Sequence, residues 1–134
     1  MMKTPASPPG HGTKSIGLVL IVDDMVDLGN EVVDILARRR ISAMWLSCAQ
    51  QAIDYLEKHH AAVVFSDIDM PGPVNGIGLA RWVLKNRLGT KMILTSGNFP
   101  ELDPSDPIAE IPFLLKPVKP NQLLKVLSET DAGR

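Results

Sequence analysis

The 134 residues, 45% hydrophobic and 22% charged, have the composition of one ordinary globular domain and are too few for two. A net charge of −1 argues against general nucleic-acid affinity, so no nucleic-acid partner is expected. The single cysteine, Cys48, rules out an internal disulfide framework and a multi-cysteine zinc site; it fits a reducing compartment, and the cytoplasm is the simplest expectation.

Residues 1–15 carry Pro5, Pro8, Pro9, Gly10 and Gly12 and read as a flexible N-terminal tail. They lack the apolar stretch of a secretory signal, and no run in the chain approaches the ~20 residues of a membrane-spanning helix, so no membrane association is expected. Leu18 to Val22 then forms an apolar run of strand length that stops at Asp23-Asp24. Such continuous runs describe strands buried on both faces of a parallel sheet.

Met25 to Arg39 follows with helical period, placing Leu28, Val32, Ile35 and Leu36 on one face. Ile41 to Leu46 is the second strand. Ser47, with Gln50 three residues later, has the pattern of a capping box opening a helix whose inner face is Ala49, Ala52, Ile53 and Leu56. A third strand, Val63 to Phe65, stops at Ser66-Asp67. Ile77, Ala80, Val83, Leu84 and Leu88 mark a third helix. Met92 to Leu94 is the fourth strand and stops at Thr95.

The alternation then breaks. Pro100, Pro104, Pro107 and Pro112 fall within 97–112, and an interior proline costs a helix ~3 kcal/mol. The helix expected here is therefore absent or about one turn, at Pro107 to Glu110. Phe113 to Leu115 is the fifth strand, stopping at Lys116, and Leu123, Leu124, Val126 and Leu127 mark a last helix with Pro120 near its first turn.

Strand and helix in alternation imply an α/β fold with right-handed crossovers: a doubly wound, flavodoxin-like parallel sheet in the order 2-1-3-4-5, spanning residues 16–130 with a short C-terminal tail at 131–134. Ligands bind such sheets beyond the carboxyl ends of the strands, where the strand order reverses. Asp23, Asp24 and Asp67 converge there, and Thr95 and Lys116 end the neighbouring strands. Two like charges 4 Å apart cost about 4 kcal/mol at an effective dielectric of 20, so the carboxylates need neutralising. Either one stays protonated as a general acid/base, or a hard divalent cation binds. Magnesium takes one or two carboxylates, waters and phosphate oxygens, Lys116 adds a point charge, and Thr95 adds a hydroxyl. This set suits phosphoryl transfer, with a carboxylate as nucleophile.

Asp23-Asp24, the run Asp67-Ile68-Asp69-Met70-Pro71, Thr95-Ser96 and Lys116-Pro117 together resemble the CheY-like receiver domain of two-component response regulators, over about residues 16–130. The resemblance implies that Asp67 accepts a phosphoryl group from a histidine kinase or histidine phosphotransfer protein. It implies that Asp24 binds Mg2+ directly and Asp23 through water, with Asp67 and the backbone carbonyl of Asp69 as further ligands. Lys116 would pair with Asp67 or the phosphate, Thr95 would swing toward the phosphoryl oxygen, and Phe113 occupies the position of the switch aromatic. The Lys116-Pro117 bond is expected to be cis. The output would be binding of an unknown downstream protein, with no enzyme activity beyond self-catalysed phosphorylation and dephosphorylation.

Departures from the family pattern are the extra residue in Pro71 to Gly76, Ser96-Gly97 after the switch threonine, the carboxylate of Asp69, and the proline-broken 97–112 stretch. That stretch lies where many receivers dimerise, so a monomer or weak dimer is expected. The set looks like receivers standing alone or attached to hybrid kinases. Two other functions share part of this residue set. An aspartate-nucleophile phosphohydrolase of the haloacid dehalogenase kind shares Asp-x-Asp, but places it on the first strand and carries a cap domain. An unphosphorylated receiver-like adaptor would not need the intact acidic set. His59-His60 read as a surface helix end, Trp45, Trp82 and Tyr55 as packing, and Cys48 as a half-buried small residue.

Overall fold

The computed structural model describes residues 16–132. The expected tail at 1–15 and the last two residues of the expected C-terminal tail lie outside them. Five parallel strands, β1 (Val19–Val22), β2 (Ala43–Leu46), β3 (Val63–Asp67), β4 (Lys91–Ser96) and β5 (Phe113–Leu115), form one sheet in the order β2-β1-β3-β4-β5. Four α-helices accompany them: α1 (Val26–Arg38), α2 (Ala49–Lys58), α3 (Gly76–Asn86) and α4 (Pro120–Ala132). The proline-rich stretch contains only a 3-10 turn, Pro107–Glu110.

Alternation along the strands divides the core into two layers. Leu20, Val22, Val64, Met92 and Leu94 pack with α2, α3 and Ile108 of the 3-10 turn. Val19, Ile21, Val63, Phe65 and Ile93 pack on the opposite face with Leu36 of α1 and Leu123 and Leu127 of α4. Both faces of β1 and β3 are thus covered, which is why β1 is apolar throughout and β3 is apolar from Val63 to Phe65.

Several boundaries differ from the sequence reading for local reasons. The chain leaves α1 through two bonds, Arg40 N–H to Ala37 O and Ile41 N–H to Leu36 O, both 2.9 Å, with Arg40 at φ 62°. This is a Schellman ending, with arginine where glycine is commoner. It uses Ile41, so β2 starts at Ala43. The capping pattern is shifted by one residue. Cys48 is the N-cap, and Gln51, not Gln50, reaches back to accept from Ser47 N–H (2.9 Å) and Ser47 Oγ (3.2 Å). Gln50 instead donates to Asp54 one turn on. Leu88 is 87% exposed because α3 ends at Asn86, and Leu28 is 37% exposed at the edge of α1.

The segment replacing a full helix between β4 and β5 is anchored rather than loose. Arg81 of α3 forms a bidentate ion pair with Asp106 (2.7 and 3.1 Å). Asp106 Oδ1 also caps the 3-10 turn by accepting Ile108 N–H, and Pro112 O accepts Leu94 N–H at 2.9 Å. The loop after β3 closes just as firmly. Gly76 N–H donates to Ile68 O at 3.0 Å, and Asn75 caps α3 by accepting Gly78 N–H at 3.0 Å. A Cβ on Gly76 would collide with the backbone oxygen of Asp67 and lie 2.7 Å from Ile68 Cα, neither of which can move aside.

Gly76→Ala is therefore expected to destabilise the fold by about 2 kcal/mol or more, within the range for strained or overpacked positions. Gly97→Ala, where a Cβ meets nothing within 4 Å, is expected to change stability little. Chemical denaturation of the two variants checks the contrast.

Candidate functional site

The carboxyl ends of β1, β3, β4 and β5 meet because β1 and β3 are neighbours and β4 and β5 follow in order. Register places Val22 beside Ser66 and Asp67 beside Thr95. Asp23 and Asp24 leave the end of β1, so one carboxylate oxygen each from Asp23, Asp24 and Asp67 lies within 4.8 Å of the others. Lys116 reaches in from the end of β5. Its ammonium donates to Asp67 Oδ2 at 3.1 Å and Asp23 Oδ2 at 3.2 Å. Its own backbone N–H is held by Ser96 O at 2.8 Å, and its bond to Pro117 is cis.

Asp23 and Asp67 are buried, while Asp24 faces solvent. The remaining oxygen of Asp23 accepts Met25 N–H at 2.9 Å, and that of Asp67 accepts Asp69 N–H at 3.3 Å. No hydrogen bond or ion pair holds the Asp24 carboxylate among the described residues. Three carboxylates against one ammonium leave excess negative charge, and one of the three is free to ligate. The donor set is all oxygen. It fits a hard divalent cation of the magnesium kind, which prefers carboxylates and retained waters.

Burial pushes the Asp67 carboxyl above the usual carboxylate range, helped by the charge of Asp23, and the bonds from Lys116 and Asp69 only partly oppose it. Burial pulls the Lys116 ammonium down, but the hydrogen bonds to Asp67 and Asp23 outweigh that and hold it above its ordinary value. Lys116 therefore stays charged across the physiological range, and Asp67 is more basic than an exposed aspartate.

Thr95 is 2% exposed, and its hydroxyl has no hydrogen-bond partner among the described residues. Lying beside Asp67 in the strand register, this hydroxyl can donate to an acceptor oxygen there. A pocket of about 370 Å³ opens here, lined by Asp23, Asp67, Thr95 and Lys116 at its polar end and by Val32 and Phe65 among its apolar walls. Phe113 begins β5, half-buried, with its ring 5.5 Å from that of Phe99, which is 71% exposed.

Two features were not legible from motif spacing. The Asp69 carboxylate is tied, accepting the buried Ser96 hydroxyl at 2.6 Å, so the segments after β3 and β4 are linked beside the acidic cluster. Trp45, expected only to pack, donates its indole N–H to the backbone oxygen of Asp23 at 2.8 Å. The available signal was Gly29, inside the helix facing it: a Cβ there would strike the Trp45 ring. His59 closes α2 with its ring on Tyr55, remote from the cluster in the chain's topology, and Cys48 is a half-buried N-cap.

The model of the response regulator receiver domain matches residues 19–128. The chain belongs to that family. Solved structures share the receiver fold. A signal receiver domain of an HD domain-containing protein from Pseudomonas fluorescens Pf-5 aligns with TM-score 0.78 and 22% identity, over 87% of this chain and 95% of that one. A CheY-like receiver domain protein from Methanospirillum hungatei JF-1 aligns with TM-score 0.76 and 24% identity, over 90% and 100%. A sensor protein from Polaromonas sp. JS666 aligns with TM-score 0.77 and 20% identity, over 87% and 97%. A search of curated proteins returns no significant match. Among the described residues of this receiver no helix is long and apolar enough to cross a membrane.

The raised value of Asp67 carries a pH signature. Its folded state binds a proton more tightly than the unfolded chain, so the associated stability is present at low pH and lost as pH rises through the folded value. With a chelator present, the melting-temperature advantage of Asp67→Asn over wild type is expected to grow as pH rises above the ordinary aspartate value of about 4. Millimolar Mg2+ is expected to stabilise wild type and not the variant. Thermal melts across pH, with and without the cation, read both effects.

Proposed function

We propose that this receiver is a phosphorylation-controlled binding module whose acceptor is Asp67. The observation that carries the reading is the buried Asp67 carboxylate set beside Lys116 and, across the strand register, the buried Thr95 hydroxyl, which has no partner among the described residues. A phosphoryl group on Asp67 would bring acceptor oxygens to that hydroxyl and to the Lys116 ammonium.

A histidine kinase or histidine phosphotransfer protein would supply the group. The ionised Asp67 oxygen bonds to phosphorus as the phosphorus–nitrogen bond of the donor phosphohistidine breaks, and the departing imidazole keeps that electron pair and takes a proton. Lys116 offsets charge on Asp67 before transfer and on the phosphoryl oxygens after it. Asp23, Asp24, Asp67 and the backbone carbonyl of Asp69 would hold Mg2+, which when bound offsets the charge of the transferring phosphoryl group.

The added charge of about −1.5 to −2 has effect only by biasing an element with two arrangements. Thr95 turning toward the phosphoryl oxygen, and Phe113 responding beside Phe99, form that element. The output is binding of a downstream protein, with no reaction catalysed on another substrate.

Wild type incubated with Mg2+ and acetyl phosphate is expected to gain the mass of one phosphoryl group, and Asp67→Asn none. Thr95→Ala is expected to label still, while losing the label-dependent changes at Phe113 seen by nuclear magnetic resonance. Labelling of Asp67→Asn, or sustained turnover of small phosphate esters by wild type, would overturn the reading.

A further inference from the structure

The turn carrying Asp23 and Asp24 is held from the neighbouring strand β2 as well as by its own bond from Met25 N–H to the Asp23 carboxylate. Asp23 N–H donates to Leu46 O at 3.1 Å, and Asp23 O accepts the Trp45 indole N–H at 2.8 Å. The Asp23 side chain has further anchors in Met25 N–H and Lys116. Asp24 has none among the described residues, so the direction of its carboxylate follows from its backbone. The peptide joining Asp23 to Asp24 is planar, and fixing its carbonyl oxygen fixes the plane from which Asp24 departs.

We propose that Trp45 is a positioning residue for the cation-binding turn: its indole N–H holds the Asp23–Asp24 peptide so that both carboxylates face the same ion. This rests on the magnesium reading given under Proposed function. The indole is itself held in place. It lies half-buried against the layer containing Val19, Ile21 and Leu36, and α1 presents Gly29 to it, where a Cβ would strike both Cδ1 and Nε1 of the ring. A glycine inside a helix costs about 1 kcal/mol relative to alanine. Its presence here admits the indole to the turn. A tryptophan that merely filled space would need the ring and not the N–H, and that difference makes the two roles separable.

Trp45→Phe keeps a ring against Gly29 and removes the donor. Calorimetric titration is expected to show Mg2+ bound about tenfold more weakly by Trp45→Phe than by wild type, the scale of losses when an outer partner of a metal ligand is removed. Trp82→Phe, on α3, is expected to bind as wild type does. Gly29→Ala gives an independent route, since it displaces the indole without altering Trp45 and improves helix propensity; it is expected to weaken Mg2+ binding similarly.

Trp82→Phe leaves Trp45 as the sole tryptophan. Its emission is expected to change with added Mg2+ along the calorimetric binding curve. Wild-type affinity in both Trp45→Phe and Gly29→Ala, or emission indifferent to a cation that calorimetry shows bound, would overturn the proposal. If wild type itself takes up no Mg2+, the magnesium reading fails separately, and the positioning role is decided in metal-free protein. There, slow exchange of the Trp45 indole proton and a displaced Asp24 amide resonance in Trp45→Phe support it; a fast-exchanging proton and an unmoved resonance refute it.

Discussion

The bridge from Lys116 to Asp23 and Asp67 is the interaction on which the arrangement of the site depends. It draws together the ends of β1, β3 and β5, which contribute to the sheet from positions separated by many tens of residues. Burial and the charge of Asp23 raise the Asp67 carboxyl, and the Lys116 ammonium partly opposes that rise; without it nothing from β5 would offset the charge of the acidic cluster. The lysine is fixed from behind by Ser96 O, the residue after Thr95, so the group that balances charge and the proposed reporter share a backbone connection.

Two helical glycines bring backbone and ring to distances no other residue would permit. Gly76 seats the start of α3 directly on the Asp67 carbonyl, and Gly29 seats α1 on Trp45. In both cases a helix is placed by what it lacks, and the acidic residues inherit the precision of that contact. The Ser96–Asp69 bond adds a third tie across the mouth of the site. Asp67, the Asp23–Asp24 turn and Ser96 are therefore each located by a neighbour in a different chain segment.

The strand order and the set Asp23, Asp24, Asp67, Thr95 and Lys116 were legible in the sequence because strands buried on both faces are unbroken apolar runs, and each ended in a polar residue. The short turn at Pro107–Glu110 was legible because proline excludes alternatives over 97–112. Helix ends were less so. Ile41 is apolar and reads as strand, yet it closes the Schellman turn of α1; Gln50 and Gln51 are chemically equal, and only helix phase decides which reaches Ser47. The bonds of Trp45 to Asp23 O and of Ser96 to the Asp69 carboxylate were not legible because their acceptors lie on other segments, and pairwise spacing along the chain carries no trace of such bonds.

The cation that balances the site also stands at the border of the sheet. β5 is an outer strand with only three residues, Phe113–Leu115, and Leu115 is 39% exposed. An unpaired strand edge is a template for joining other chains, and natural proteins blunt it with brevity, lysine and proline. Here Lys116 and Pro117 end the edge as soon as it begins. Pro117, with no N–H to donate, thus stops the ladder beside the point where the Lys116 side chain turns inward to the acidic cluster, so the residue that balances the carboxylates also marks where the sheet edge ends.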